Sequence, residues 1–200
     1  LGDAEAETPI AVVEAGTGTG KTIAYLVAAL PIARARKKKL VVASATVALQ
    51  EQLLFRDLPD VMRDSELAFD IALAKGRGRY VCLLKLDHQL SERGGDPFIP
   101  LYPDEFLGAE EIDPGPVLEE MIQALGNGGW DGDLDAWSEM IPASTRRLIT
   151  TDQSQCTGRR CPHVGQCSFF RAREGLDDAD IIVTNHDLVL SDLHLGGGVI

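Results

Sequence analysis

Short apolar runs alternate along the chain with longer stretches in which apolar residues recur at helical spacing. The runs at residues 10–14, 40–45 and 69–75 have the length and composition of buried strands. The stretch after the first run predicts a helix in which Pro31 is a kink or an end, and the stretch after the second predicts a helix capped by Thr46. Strands that alternate with such helices indicate βαβ units. We therefore predict an α/β fold with a mostly parallel sheet and helices on both faces.

The alternation stops between about residues 91 and 135, where glycine, proline and acidic residues dominate. Within that segment only residues 117–125 have the pattern of an amphipathic helix, and a strand followed by a short helix returns at residues 181–184. We expect the whole insertion, residues 81–175, to be too small and too polar to stabilise itself by burying a core. The predicted parts are the beginning of an α/β domain at residues 1–80, an insertion at 81–175 and a return to the domain at 176–200.

The charge of the chain is concentrated in the insertion. Between Asp87 and Asp135 there are thirteen acidic residues and one basic residue, Arg93, so this segment accounts for the whole net charge of −12. The rest of the chain is neutral, and its charge does not argue against a nucleic-acid partner, which needs a positive surface. We interpret the acidic segment as solvated surface. A regulatory flap that competes with DNA is the alternative.

Composition and the lack of targeting patterns limit the class of protein. The chain has 200 residues, of which 44% are hydrophobic, enough to bury one sizeable core. It contains no run of eighteen apolar residues and no signal peptide, so we predict a cytoplasmic protein without a membrane span. Because it begins without methionine and ends in LGGGVI, we expect a fragment of a longer protein.

The segment EAGTGTGKT, between the first predicted strand and helix, fits the phosphate-binding pattern A-x-x-x-x-G-K-T. Its glycines permit positive φ values and close approach of the backbone, so that successive N–H groups can point at phosphate oxygens. Lys21 would supply positive charge to the β- and γ-phosphates and Thr22 a hydroxyl to Mg²⁺, so we predict both as catalytic residues. The predicted nucleotide-binding residues are Ala15, Gly16, Thr17, Gly18, Thr19, Gly20, Lys21 and Thr22.

Hydrolysis in P-loop proteins also needs an acidic residue at the end of another strand, to hold Mg²⁺, and an arginine that stabilises the transition state. We find no DE-x-H motif between Lys21 and Ile200. The chain alone is therefore expected to bind nucleotide weakly and to hydrolyse almost none.

The four cysteines, Cys82, Cys156, Cys161 and Cys167, follow the spacing C-x73-C-x4-C-x5-C. Two disulfides are disfavoured in a reducing compartment. A structural zinc site usually shows C-x2-C pairs, which are missing here, whereas a [4Fe–4S] cluster takes one cysteine at each iron corner and tolerates wider spacing. The spacing alone does not decide between zinc and a cluster.

Several segments together resemble the DinG branch of the XPD-like superfamily 2 helicases, which also includes YoaA. Two of them, EAGTGTGKT and ASATVALQEQL, resemble helicase motifs I and Ia. The others are GRGRYVC, the C-x4-C-x5-C run followed by SFFRAR, and ADIIVTNHDLVLSDL. In order, they cover most of the chain except its acidic middle. The resemblance implies a RecA-like P-loop NTPase fold with an inserted iron–sulfur lobe.

The resemblance also implies what the sites bind. It implies ATP with Mg²⁺ at the phosphate loop, and a [4Fe–4S] cluster held by Cys82, Cys156, Cys161 and Cys167. The implied activity is that of an ATP-dependent DNA helicase that moves 5′ to 3′ on single-stranded DNA and unwinds forked or branched repair and replication intermediates. The DEAH-type motif and the second motor domain are then expected beyond Ile200.

Two other functions are compatible with the same residues. One is a non-motor, NTP-dependent switch whose insertion binds zinc and docks a protein. The absence of iron, and of any stimulation of ATP hydrolysis by DNA, would identify it. The other is a redox sensor in which oxidation of a cluster gates the motor, and the sequence leaves this open.

Six arginines flank the cysteines, and three aromatic residues lie among them. The arginines could contact DNA phosphates or offset the negative charge of a thiolate-bound cluster, and the sequence leaves both open. The aromatic side chains could stack on bases, although packing inside the insertion is their more ordinary role. These residues are Arg77, Arg79, Arg159, Arg160, Arg171, Arg173, Tyr80, Phe169 and Phe170.

Overall fold

The structure is a computed structural model that describes residues 10–16, 18–93, 113–194 and 196. Helices α2 (Val47–Gln52) and α3 (Leu58–Asp64) form one continuous rod because a π-helical turn, Leu53–Asp57, joins them. No helix in these ranges is long and apolar enough to cross a membrane. The elements are α1 (Lys21–Ala35), β1 (Leu40–Ser44), α2 (Val47–Gln52), α3 (Leu58–Asp64), β2 (Ile71–Leu73), α4 (Leu83–Arg93), α5 (Gly115–Gly126), α6 (Ala143–Ile149), α7 (Ser168–Glu174), β3 (Ile181–Asn185) and α8 (His186–His194).

The strands of the described residues form one parallel sheet in the order β1-β3-β2. Residue Ile181 of the central strand pairs with Leu40 on one side and with Ile71 on the other. The first four residues of β3 are buried, as expected for a central strand that is covered on both faces. The prediction of an α/β fold with a parallel sheet is therefore confirmed.

Each face of the sheet has its own apolar cover. On one face, Leu26 and Leu30 of α1 and Leu58 of α3 pack with Val42 and Val183 of the strands. On the other face, Leu176 and Ala179 pack against Ile182 and Ala74. Helix α1, which follows the glycine-rich loop, therefore packs on the same sheet that the insertion interrupts.

An ion pair fixes the end of α1 to the start of β3. Arg34 Nη2 lies 2.8 Å from Asp180 Oδ2, and the backbone N–H of Asp70 donates to the same carboxylate oxygen at 3.1 Å. The hydrogen bonds from Arg34 and Asp70 lower the pKa of Asp180 below its ordinary value. Because the carboxylate also bonds the residue before β2, it links the beginnings of two neighbouring strands to α1.

The predicted strand at residues 10–14 is wrong, and of the two alternatives for Pro31 the helix end is wrong. Residues 10–14 form no strand, and Val12 is 92% exposed, because no strand in the described part of the chain lies beside them to share a hydrogen-bond ladder. Pro31 does not end α1, which continues to Ala35. Pro31 is exposed, so the carbonyl that loses its partner can bond water instead.

The predicted cap of the second helix is confirmed, since Thr46 Oγ1 accepts a hydrogen bond from the Leu49 N–H at 3.3 Å.

The insertion has a hydrophobic core of its own, so the expectation that it is too polar to form one is wrong. Helices α4, α5 and α6 contribute to a buried cluster that is separate from the sheet. Trp130 joins it and meets Trp137 edge to face, with ring centroids 4.7 Å apart. Its buried members are Val81, Leu86, Leu118, Met121, Trp130, Leu134 and Ile149.

Gly132 holds the loop after α5 against this core. It has a φ of 89°, and its carbonyl accepts a hydrogen bond from the Val81 N–H at 2.9 Å. A Cβ placed on Gly132 would lie 2.8 Å from Ser168 Cβ and 3.0 Å from Val81 Cγ1. The loop, the segment before Cys82 and the start of α7 therefore meet at a point where only glycine fits.

We expect Gly132→Ala to lower the free energy of unfolding by about 2–4 kcal/mol, because left-handed strain and overpacking act together. Gly126→Ala is the matched control, since nothing lies within 4 Å of its added methyl group. The control is expected to change stability by less than about 1 kcal/mol. Urea unfolding followed by circular dichroism measures both, and equal midpoints for the two variants would contradict this account of Gly132.

Candidate functional site

The phosphate loop leads directly into the N-terminus of α1, which begins at Lys21. Gly18 and Gly20 have φ values of 75° and 73°, in the region that side chains disfavour. The predicted conformational role of these two glycines is therefore confirmed. Thr17, which belongs to the predicted nucleotide site, lies outside the described residues.

Lys21 lies inside the curve of the loop. Its Nζ donates to the carbonyl oxygens of Ala15 at 2.8 Å and Gly16 at 2.5 Å. The hydroxyl of Thr19 donates to the same Gly16 carbonyl at 2.9 Å. These side chains are exposed, so the ammonium group is held by the loop and remains open to a ligand from solvent.

Beneath the loop, Thr22 lines a cavity of about 300 Å³ between α1, the end of β1 and the α2–α3 rod. Asp57 is buried at the same cavity and accepts a hydrogen bond from Gln52 Nε2 at 3.2 Å. Burial raises the pKa of Tyr25, which also lines this space, despite a hydrogen bond with Thr22. Sequence analysis did not identify Asp57 as a residue of this site. The π-turn brings it inward, and an apolar pattern based on the 3.6-residue period does not detect such a turn.

All four cysteines line one cavity of about 30 Å³. Cys82 comes from the segment just before α4, and the other three come from the loop between α6 and α7. All are half-buried free thiols. The fold thus brings together four residues that the sequence separates widely, without pairing any of them in a disulfide.

Short turns position the cysteines of the loop. The N–H groups of Cys161 and Cys167 donate to the carbonyls of Gly158 and Val164 at 3.1 and 3.2 Å, each closing a 3₁₀ turn. On the other side of the cavity, the Cys82 N–H donates to the Ile149 carbonyl at 2.7 Å. The backbone of Cys82 is therefore tied to the core of the insertion, whereas Cys161 and Cys167 are held by turns within their own loop.

Within the part of the chain that the structure describes, no three His, Cys, Asp or Glu side chains form a group that could hold a metal ion. The four cysteines nevertheless line one cavity, because side chains can line the same cavity without their sulfur atoms being close enough to bind one ion. His163 lines the cavity beside the cysteines.

The arginines around the cysteines divide into three environments. Arg77 lies over the Phe169 ring, 4.1 Å from its centroid, and donates from Nη1 to Cys156 Sγ at 2.9 Å. Arg173 approaches the same ring at 5.1 Å and donates to the Lys75 carbonyl. Arg79 is bound by Asp135. The rest are exposed and form the part of the predicted basic rim that solvent reaches, namely Arg159, Arg160 and Arg171.

The aromatic residues near the cysteines pack against one another. Tyr80 and Phe169 are both 6% exposed and meet edge to face, with centroids 5.9 Å apart. Burial raises the pKa of Tyr80 to about 12. The packing interpretation is therefore confirmed for these two, while Phe170 is only half-buried.

A third cavity, of about 580 Å³, lies where β2 and β3 end and is bounded by α2 and the loop at residues 133–136. Lys75, just after β2, forms ion pairs with Asp133 and Asp135, and Arg79 pairs with Asp135 as well. The two aspartate side chains are only 17% and 25% exposed. The interpretation of the acidic segment as solvated surface is therefore wrong at Asp133 and Asp135.

We expect this ion-pair network to make the chain less stable in acid. Burial alone raises the pKa of Asp135, but hydrogen bonds from Arg79 and Lys75 outweigh it, so the pKa lies below its ordinary value. A lowered carboxylate pKa stabilises the fold above the unfolded value of about 3.9, and the contribution is lost as the pH falls through the folded value.

The free energy of unfolding, measured in urea between pH 7 and pH 3, is expected to be lower for Asp135→Asn than for wild type at pH 7. The difference should shrink as the pH falls below about 3.9, because the unfolded wild-type chain then takes up a proton that the folded carboxylate resists. Asp178→Asn, which removes an exposed carboxylate, is the control. A difference that stays constant over the whole pH range would contradict the role given to Asp135.

The chain is similar to several helicases over most of its length. It is 42% identical to the ATP-dependent DNA helicase DinG of Photobacterium profundum over 187 residues, which are 94% of this chain and 26% of that protein. It is 38% identical to the ATP-dependent DNA helicase YoaA of Escherichia coli over 183 residues, or 91% of this chain and 26% of that protein. With the DinG of Escherichia coli the values are 34% over 180 residues, 90% and 25%.

The chain spans about a quarter of the length of these curated relatives. No family model matches it. Identity of this level over nine tenths of the chain makes it a homologue of the DinG and YoaA helicases, in agreement with the resemblance noted in its motifs.

Proposed function

We propose that this chain, a homologue of the DinG and YoaA helicases, forms the nucleotide-binding and iron–sulfur portion of the first motor domain of an ATP-dependent DNA helicase. In this proposal residues 1–80 and 176–200 belong to a RecA-like P-loop domain and residues 81–175 to the inserted lobe. The observation that carries it is that four free cysteines line one cavity in an insertion between strands of a parallel sheet. The phosphate loop precedes the same sheet.

The phosphate loop supports ATP as the nucleotide. Lys21 already bonds two loop carbonyls, and on binding it would exchange them for oxygens of the β- and γ-phosphates. The glycine backbone from Ala15 to Gly20 would donate N–H groups to the phosphates, and Thr22 would offer its hydroxyl to Mg²⁺. The buried Asp57 faces the cavity behind Thr22 and would help to keep that side polar.

The cysteine set supports a [4Fe–4S] cluster over a single zinc ion. Cys82, Cys156, Cys161 and Cys167 are half-buried free thiols that face one cavity, and their spacing lacks the C-x2-C pairs of a structural zinc site. A cluster is larger and takes one sulfur at each corner. A bound cluster supplies four iron–thiolate bonds across the cavity and a one-electron redox couple.

The cavity of about 580 Å³ at the ends of β2 and β3 supports the proposal that the motor binds single-stranded DNA. It lies at the carboxyl ends of parallel strands, where α/β sheets place ligands, and α2 lines it with Gln50. Lys75 and Arg79 border the same cavity and could contact phosphates. In the present structure both cations are bound by aspartates, so DNA would compete with Asp133 and Asp135.

The proposed function is tested on the full-length protein by measuring ATP hydrolysis with and without single-stranded DNA, and strand separation on forked duplexes. We expect DNA to stimulate hydrolysis, and a 5′ single-stranded tail to support unwinding where a 3′ tail does not. ATP hydrolysis at the same rate with and without DNA, in a protein that contains zinc and no iron, would instead identify the non-motor switch that docks a protein.

A further inference from the structure

The side chain of Arg77 is held from two sides. Its guanidinium carbon lies 4.1 Å from the centroid of the Phe169 ring and 5.7 Å from that of Phe170. At its edge, Nη1 donates to Cys156 Sγ at 2.9 Å. Arg77 is half-buried and lines the cavity that the four cysteines share. One cationic side chain thus reaches into the cysteine site with a fixed orientation.

We propose that Arg77 is a positioning residue that raises the reduction potential of the cluster by donating a charged hydrogen bond to the Cys156 sulfur. This inference rests on the proposed role of the four cysteines as cluster ligands. It assigns to Arg77 a specific atom, Nη1, and a specific acceptor, and separates it from the other arginines of the segment.

The direction of the effect follows from charge. Reduction adds one electron to the cluster from an external donor, while no bond forms or breaks and no proton moves. The added negative charge spreads over the iron atoms and their thiolate ligands, and hydrogen bonds to these sulfurs stabilise it. A donor that carries a positive charge does so more strongly than a neutral one, and a half-buried site screens it less than water would. Removing Arg77 should therefore make the cluster harder to reduce.

The geometry favours this role over simple packing. A guanidinium stacked on an aromatic ring keeps its N–H edge free to donate in its own plane, and that edge meets the sulfur. The backbone N–H of Gly158 donates to the same Cys156 sulfur at 3.4 Å, a longer and neutral bond. Cys156 therefore accepts from two directions, of which Arg77 alone brings charge.

The test compares four forms of the full-length protein, purified without oxygen and loaded with iron and sulfide. They are wild type, Arg77→Met, Arg77→Lys and the control Arg171→Met, which removes an exposed cation from helix α7. Iron and sulfide are quantified first. The ratio of reduced to oxidised cluster is then read from the visible spectrum at a series of applied potentials.

We expect Arg77→Met to lower the ratio of reduced to oxidised cluster about tenfold at a given potential, a downward shift of about 59 mV for a one-electron couple. Arg77→Lys keeps the charge but lacks the planar fork, so a fall of about threefold is expected. Arg171→Met should change the ratio by less than about twofold, because its charge faces water.

Several results would overturn the proposal. A midpoint unchanged or raised in Arg77→Met would do so, as would an equal shift in Arg171→Met, which would point to general charge. Should Arg77→Met fail to hold a cluster, the comparison of Arg77→Lys with wild type decides. Loss of the cluster from both variants would make Arg77 an assembly residue and refute a tuning role. Wild type without iron would refute the proposed cluster itself, a distinct failure that the metal analysis reveals.

Discussion

Replacing Lys21 with alanine is expected to slow ATP hydrolysis by the full-length protein about 10²- to 10³-fold, in line with the loss of one preorganised charge at a reacting phosphate. Lys21 is the cation that the phosphate loop holds within its curve, on the carbonyls of Ala15 and Gly16. Without Lys21 the loop loses the two hydrogen bonds that this side chain donates and the positive charge that would contact the γ-phosphate. Steady-state hydrolysis at saturating ATP and single-stranded DNA measures the effect.

The iron content of the Lys21→Ala protein should equal that of wild type, because the loop and the cysteine cavity share no lining residue. Lys38→Ala, which removes an exposed charge beyond the end of α1, is the control and should hydrolyse ATP at the wild-type rate. Hydrolysis that persists in Lys21→Ala would contradict the proposed nucleotide site. Iron that disappears with it would refute the separation of the two sites.

Replacing Cys161 with serine is expected to reduce bound iron from about four atoms per chain to nearly none, because a four-iron cluster depends on a sulfur at each corner. The core of the insertion should persist, since α4, α5 and α6 bury their own apolar cluster. The expected result is therefore loss of visible absorbance with little change in the far-ultraviolet circular dichroism.

His163→Ala is the matched control for Cys161→Ser. His163 lines the same cavity and lies between two of the cysteines, but it is not among the proposed ligands. Its replacement should leave the iron content unchanged. A Cys161→Ser protein that kept four irons, or a His163→Ala protein that lost them, would show that the ligand set is wrong.

Local patterns predicted those parts of the fold that local physics determines. Apolar runs located strands β1 and β3, helical spacing located α1, and Thr46 was recognised as a cap because a hydroxyl before an amphipathic run bonds the next free N–H. The glycines of the phosphate loop were expected to permit positive φ values for the same kind of reason, and of the three, Gly18 and Gly20 have them.

Three of the failures involve partners that are distant in sequence. Residues 10–14 have the composition of a strand, but a strand forms only beside another strand, and the local pattern does not identify that partner. The core of the insertion forms where α4, α5 and α6 pack together, and the apolar residues of each helix do not by themselves indicate that packing. The sequence places Asp133 and Asp135 in an acidic segment, and only the fold shows that Lys75 forms ion pairs with both.

The cysteine site lies between these two cases. Spacing alone left zinc and a cluster open, and only the resemblance to helicases pointed to four ligands in one set. The convergence of Cys82 with Cys156, Cys161 and Cys167 on one cavity depends on the Cys82 to Ile149 backbone bond and on tight turns in the loop. The position of Arg77 against Cys156 also depends on the fold, since no spacing rule relates the two.

The central claim is that the four cysteines bind a [4Fe–4S] cluster. Its most direct test is an ultraviolet–visible spectrum of the protein purified without oxygen, with iron, acid-labile sulfide and zinc quantified on the same sample. The account predicts broad absorbance near ~400 nm with about four irons and four sulfides per chain, the content of such a cluster. One zinc per chain and no sulfide, in cells grown with ample iron, would contradict it.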